Sequence, residues 1–300
     1  MIDFPKILQL PSPLQALPHP LFEEKNIKVF VKRDDLIHPE ISGNKWRKLK
    51  YNLLEAQQKG CNELLTFGGA FSNHIYAVAA AGKYFGFETN GIIRGDELHE
   101  NSSETLKFAA VCGMKLYFVS RSEYRDMRED SQNHPFIQSF NRAIILPEGG
   151  TNELALEGVG EMAEEIREQL GYAPDYVICP VGTGGTMAGI IAASDPKTKV
   201  LGICVLKNGH YLENEIKALI ENKLGKTKDN YAIVWDGHHG GYAKKTPQLL
   251  DFIEEFEERF SIPIEPVYSG KMFFAFEELI KTTIQPNSTV VLVHTGGLRL

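Results

Sequence analysis

The chain has 300 residues, 43% of them hydrophobic and 24% charged, with a formal net charge of -7. That composition belongs to a globular protein long enough for one large core or two lobes. Its acidic balance gives no electrostatic footprint for nucleic acid or an anionic membrane, and no stretch approaches the roughly 18 apolar residues of a membrane span.

The start, Met1-Ile2-Asp3-Phe4-Pro5-Lys6, lacks the basic and apolar regions of a signal peptide, so a cytoplasmic protein is expected. Residues 5–27 are proline-rich and aperiodic, with Pro11-Ser12-Pro13-Leu14 read as extended chain. Residues 27–31 alternate as a strand. After Lys32-Arg33-Asp34-Asp35 comes Ser42-Gly43-Asn44-Lys45-Trp46-Arg47-Lys48, which opens an amphipathic segment through residues 49–58. A lysine at a helix start meets the positive end of the helix dipole, which disfavours its ammonium form. A neutral lysine amine is a nucleophile for carbonyl carbon. The competing reading is that Lys45, Arg47, Lys48 and Lys50 form a solvated basic face.

A strand at 63–67 runs into Gly68-Gly69-Ala70-Phe71-Ser72-Asn73-His74, and an alanine-rich helix follows at 75–85. Strands at 89–94, 115–119 and 143–146 then alternate with helices at 103–112, 122–130 and 154–170. The second half repeats the rhythm. Its strands lie at 176–179, 200–205, 232–235 and 289–294, and its helices at 187–193, 211–224, 246–260 and 271–280. Such alternation implies crossover units and parallel sheets. No repeat or long linker divides the chain, so any lobes must be formed by fold-back. Cys61, Cys112, Cys179 and Cys204 make no Cys-x-x-Cys pair and are expected as free thiols.

Gly182-Thr183-Gly184-Gly185-Thr186 lies between a strand and a helix, where backbone amides and hydroxyls make a phosphate cradle. A dinucleotide fingerprint would want an acid at the end of the next strand, but that strand runs out in Val205-Leu206-Lys207. A nicotinamide oxidoreductase is therefore disfavoured, and a single phosphate monoester suits the two threonines. A tight turn without ligand is the plain alternative. Ser72 is an obvious N-cap, and with the helix-start amides it could hold a carboxylate. His74 reads either as a hydrogen-bonded core histidine or as part of that site. Tyr242 and Tyr268 sit in glycine-bearing loops, where each could simply pack. His238 and His239 are adjacent and point apart, so no metal site is expected.

Together these motifs resemble the family of pyridoxal-phosphate enzymes that contains 1-aminocyclopropane-1-carboxylate deaminase and D-cysteine desulfhydrase. The likeness runs from Pro11-Ser12-Pro13-Leu14 to His294-Thr295-Gly296-Gly297. It implies an α/β, two-lobed parallel-sheet fold of the tryptophan-synthase-β type, fold type II among enzymes of this cofactor. Residues 1–50 and 153–300 would form the large cofactor-binding domain, and 51–152 a small mobile one. It places the Schiff-base lysine at Lys45 and the cofactor phosphate on Gly182, Thr183, Gly184, Gly185 and Thr186. Asn73 would lie beside the cofactor's 3-hydroxyl. The substrate carboxylate would lie on Ser72, Asn73 and His74, and Tyr242 and Tyr268 would be the two active-site tyrosines. Homodimers are common in such enzymes.

Two departures bear on the substrate. Ser269 stands where the deaminase branch has glutamate facing the pyridine nitrogen, and the desulfhydrase branch has a neutral hydroxyl. Ala70-Phe71 replaces the usual polar pair before Ser72. The expectation is β-elimination from a D-cysteine-like amino acid to pyruvate, ammonia and sulfide. Deamination of the cyclopropane acid is the runner-up, and a cofactor-carrying binding protein with little activity is the alternative of another class.

Overall fold

The computed structural model describes residues 7–41, 43–131 and 133–298; residues 1–6 and Ser42, both discussed above, lie outside them. Two sheets organise the chain. The larger has the order β1 (Leu14–Ala16), β2 (Lys28–Lys32), β10 (Thr289–Val293), β7 (Tyr176–Val181), β8 (Lys199–Cys204) and β9 (Tyr231–Val234). Only β1 is antiparallel, pairing Leu14 with Lys32. The smaller has the order β5 (Lys115–Val119), β4 (Glu88–Arg94), β3 (Glu63–Gly68) and β6 (Ala143–Leu146), all parallel. The chain is thus α/β with two parallel-sheet lobes, as expected.

Every residue of β7 and of β10 is buried, as parallel strands covered on both faces require. Successive side chains point to opposite faces. Ile178 and Leu292 pack with Phe273 and Ile280 of α11 (Ser269–Thr282). Their neighbours Val177 and Val291 pack with Val159 of α7 (Glu153–Leu170) and Ile190 of α8 (Gly185–Ala193). Helices α9 (Leu212–Leu224) and α10 (Pro247–Phe260) complete the cover. On the smaller sheet lie α3 (Asn73–Phe85), α4 (Glu104–Val111), α5 (Arg121–Glu129) and the short α6 (Pro135–Gln138). Strand β1, α6 and another short helix, α1 (Pro20–Glu24), fall where the sequence pattern was silent. Both helices begin with proline, whose fixed φ suits a first helical position.

Helix α2 (Asn44–Gln58) touches both lobes. Trp46, Leu49 and Leu53 join Leu64, Ile75 and Val78 in the small-lobe core. Arg47, fully buried, binds Asp34 Oδ1 at 2.9 Å and Glu165 Oε1 of α7 at 2.7 Å. Lys32 reaches the other Glu165 oxygen at 2.6 Å, and Ser12 bonds Asp34 at 2.6 Å. Removing one member of such a buried ionic cluster strands its partners, at a cost of about 3–5 kcal/mol. The boundary expected between residues 50 and 51 falls inside this helix. The basic run is also no solvated face, since Arg47 and Lys48 are both buried.

Candidate active site

The carboxyl ends of β3, β7 and β10 converge on a cleft between the lobes, about 1630 Å³ in volume. Ligands of open parallel sheets bind at such strand ends. Lys45 lines the cleft from the first turn of α2. Gly43 makes that placement possible. Its φ is +65°, and a Cβ there would lie 1.8 Å from the Thr295 carbonyl oxygen. The helix start is thereby laid against the loop after β10, where the Asn44 amide donates to Thr295 O at 3.2 Å. Removal from water lowers the Lys45 pKa to about 8. The direction matches the sequence expectation, but desolvation is the cause rather than the helix dipole.

The loop after β7 and the start of α8 bring Gly182, Thr183, Gly184 and Thr186 to the cleft, while Gly185 is buried behind them. Opposite stands Lys48, one turn beyond Lys45 and 1% exposed. Its Nζ donates to Gly149 O and Thr151 Oγ1, both at 3.0 Å, and lies 3.4 Å from Thr183 Oγ1. Asn44 Nδ2 donates to Thr186 Oγ1 at 2.7 Å. Desolvation and then the Lys45 charge hold the Lys48 pKa well below its usual value. Among the described residues no carboxylate pairs with this buried amine. An anion in the loop would supply the missing counter-charge, so the residues present fit a phosphate.

Ser72 is the N-cap of α3, its hydroxyl accepting from the Ile75 amide at 3.3 Å. Ser72, Asn73 and His74 all line the cleft. His74 corrects one expectation. It is 1% exposed, yet neither ring nitrogen has a hydrogen-bond partner among the described residues, so it is not a satisfied core histidine. Burial, then the charges of Lys45 and Lys48, push its pKa well down and keep the ring neutral.

Tyr242 and Tyr268 meet edge to face, with centroids 6.0 Å apart and an interplanar angle of 69°. The Tyr242 loop is held by Lys271, which donates to the carbonyls of His238 and Gly241 at 2.8 Å each. The Tyr268 ring lies on the Gly182–Thr186 loop, and a Cβ at Gly182 would come within 2.9 Å of it. Desolvation, followed by Tyr242, raises the Tyr268 pKa well above the phenol value.

Ser269 is placed differently from the rest. It is fully buried and not on the cleft wall. Its hydroxyl accepts from the Glu265 amide at 3.0 Å and donates to Glu265 Oε1 at 3.2 Å. The cause is the Glu265 carboxylate, which takes the amides of Val267, Tyr268 and Ser269 at 2.6–2.7 Å and so caps α11. Desolvation raises the pKa of Glu265. Neither Glu265 nor Lys48 stood out in the sequence as a site residue. Lys48 carried a usable signal, since three residues on from Lys45 is the same helix face. Among the described residues no His, Cys, Asp and Glu side chains gather as a metal-holding group. No helix of those residues is long and apolar enough to cross a membrane.

Comparison with known proteins agrees with the chemistry of these donors. The profile of a family described as pyridoxal-phosphate dependent enzyme matches residues 7–296. A protein of Thermotoga maritima named a putative 1-aminocyclopropane-1-carboxylate deaminase is 31% identical, over 96% of this chain and 94% of its own. A bifunctional D-cysteine desulfhydrase/1-aminocyclopropane-1-carboxylate deaminase of Arabidopsis thaliana is 28% identical, over 97% of this chain and 77% of its own. A crystal structure of an ACC deaminase homologue superposes with a TM-score of 0.82 at 25% identity, covering 97% of this chain and 91% of that one.

Proposed function

The chain belongs to the family of pyridoxal-phosphate dependent enzymes, with the type II fold of that family, and from that premise we propose that it eliminates the β-thiol of D-cysteine. The products are pyruvate, ammonia and sulfide. The observation that supports this reading is the protonation pattern of the cleft. Lys45 is a base poised near neutrality, with its pKa at about 8, and Tyr268 remains a phenol. Elimination needs that pair: a neutral amine to take a Cα proton and an acid to meet the departing sulfur. A ring opening that used a phenolate nucleophile would want the opposite shift at Tyr268.

The cofactor, when bound, supplies the electron sink for the pair left at Cα. The residues of this chain do the rest. Lys48, Thr183, Thr186 and the amides of the Gly182–Gly185 turn would hold the cofactor phosphate. The Ser72 hydroxyl and backbone amides at the start of α3 would hold the substrate carboxylate, with His74 on the same cleft wall. Asn73, on the cleft wall, would lie beside the cofactor. Lys45 would hold the cofactor through its amine and, as a neutral amine, would move the Cα proton. Tyr242 steadies the Tyr268 ring, and Tyr268 delivers the proton to the leaving thiolate. Serine rather than an acid at position 269 would leave the pyridine nitrogen without a carboxylate from that position, a weaker sink that favours prompt expulsion of sulfur. A homodimer is part of the proposal, by likeness to such enzymes alone.

Keto acid and sulfide release should be measured on D-cysteine, L-cysteine, β-chloro-D-alanine and the cyclopropane acid. Pyruvate with sulfide from D-cysteine is the expected outcome. Efficient opening of the cyclopropane acid with no sulfide from either cysteine would replace elimination by deamination.

A further inference from the structure

The cleft is larger than a pyridine cofactor and a three-carbon amino acid require. Binding sites for drug-sized ligands run from about 300 to 1,000 Å³, against about 1630 Å³ here. The cleft runs both along α9 and toward α5 and the carboxyl end of β4, and on the latter side four arginines line the wall: Arg94, Arg121, Arg125 and Arg128. Two of them are neutralised. Arg121 is paired with Glu97, with Nη1 to Oε2 at 3.1 Å, and Arg128 with Glu148 at 3.1 Å. Arg94 and Arg125 have no carboxylate or hydrogen-bond acceptor among the described residues.

Arg94 is the better placed of the two. It ends β4, beside the strand that leads into the Gly68–Ser72 turn. Its Nη2 lies 3.7 Å from where a Cβ of Gly69 would stand, three residues before Ser72. Its guanidinium sits 5.6 Å from the centroid of the buried Tyr124 ring, which steadies the group without using its donors. Phe71, 66% exposed on the same wall, offers apolar surface in the same loop. A guanidinium with free donors takes a carboxylate by paired, parallel hydrogen bonds.

We propose that Arg94, assisted by Arg125, forms a subsite for a second carboxylate on the substrate's β-substituent. The inference rests on the elimination proposed above and narrows its substrate class. The favoured amino acid carries, beyond Cβ, a short chain that ends in an anion. The Cα proton goes to Lys45, its electron pair forms the Cα–Cβ double bond, and the Cβ–S bond breaks with its pair on sulfur. Water then releases ammonia. From S-carboxymethyl-D-cysteine the products are pyruvate, ammonia and mercaptoacetate.

Two measurements on the cofactor-loaded enzyme test this. In calorimetric titration, glutarate should bind about two- to fivefold more tightly than butyrate, the range for one well-oriented ion pair at the surface. Arg94→Gln should abolish that advantage. In turnover, S-carboxymethyl-D-cysteine should exceed S-(2-hydroxyethyl)-D-cysteine in kcat/KM by a similar factor, and Arg94→Gln should bring the ratio to about one, within that same range. Equal binding of glutarate and butyrate by the wild type overturns the subsite. So does an Arg94→Gln variant that weakens both acids alike, which would assign Arg94 to the α-carboxylate. If β-chloro-D-alanine yields no keto acid, elimination itself fails, and the glutarate titration still decides the subsite.

Discussion

Lys45→Met should make the cofactor-free protein more stable at neutral pH. Desolvation lowers the Lys45 pKa from 10.5 to about 8. At about 1.4 kcal/mol per unit, such a drop of about 2.5 units corresponds to about 3.5 kcal/mol, and the partial exposure of Lys45 reduces this to about 2 kcal/mol after solvent screening. The sign follows from proton binding. The unfolded chain holds this proton more tightly than the folded one. The penalty is therefore full below about pH 8 and fades as pH rises from there to the unfolded value of 10.5. At pH 10 roughly a quarter of it remains. Methionine keeps the apolar stem and removes the charge. Urea unfolding of both proteins at pH 7 and pH 10 measures the difference directly. A variant no more stable than wild type at pH 7, or equally stabilised at both pH values, would refute burial of an ionisable amine as the origin of the shift.

Other outcomes follow from the same site. Borohydride reduction of the loaded enzyme should fix the cofactor on Lys45, and peptide mapping that finds label on another lysine would undo the assignment. Ser72→Ala should leave the cofactor bound and lower kcat/KM by about 1.5–3 kcal/mol, the value of one hydrogen bond to a charge; a loss of thermal stability with unchanged kcat/KM would make Ser72 a helix cap and nothing more. Lys48→Met should weaken cofactor retention about tenfold or more, as a buried charge-assisted contact to phosphate is removed; dialysis followed by absorbance readout checks this.

What the sequence revealed depended on the range of the interaction responsible. The alternation of β7, α8 and β8 was legible because hydrophobic period and glycine punctuation are local signals. The Gly182 turn and the Ser72 cap were legible for the same reason. The place of β10 between β2 and β7 was not, because it brings residue 290 against residues 29 and 176. Nor was the burial of Arg47, whose partners Asp34 and Glu165 come from distant segments. A basic run whose acids lie 13 and 118 residues away reads as a charged surface until the chain is folded. Ser269 was expected to face the cofactor because the family resemblance puts a ring-facing residue at that position, while Glu265 engages its hydroxyl by capping the helix that Ser269 begins.

The contact between Gly182 and the Tyr268 ring has a consequence for engineering. A loop transplanted from a distant relative with alanine at position 182 would bring its methyl within 2.9 Å of the phenol. The ring, already edge-on to Tyr242, would have to swing away or lift the loop. The Gly182 loop and the Tyr268 loop therefore cannot be swapped as separate modules. A chimera that exchanges residues 182–186 has to carry its own tyrosine loop with it.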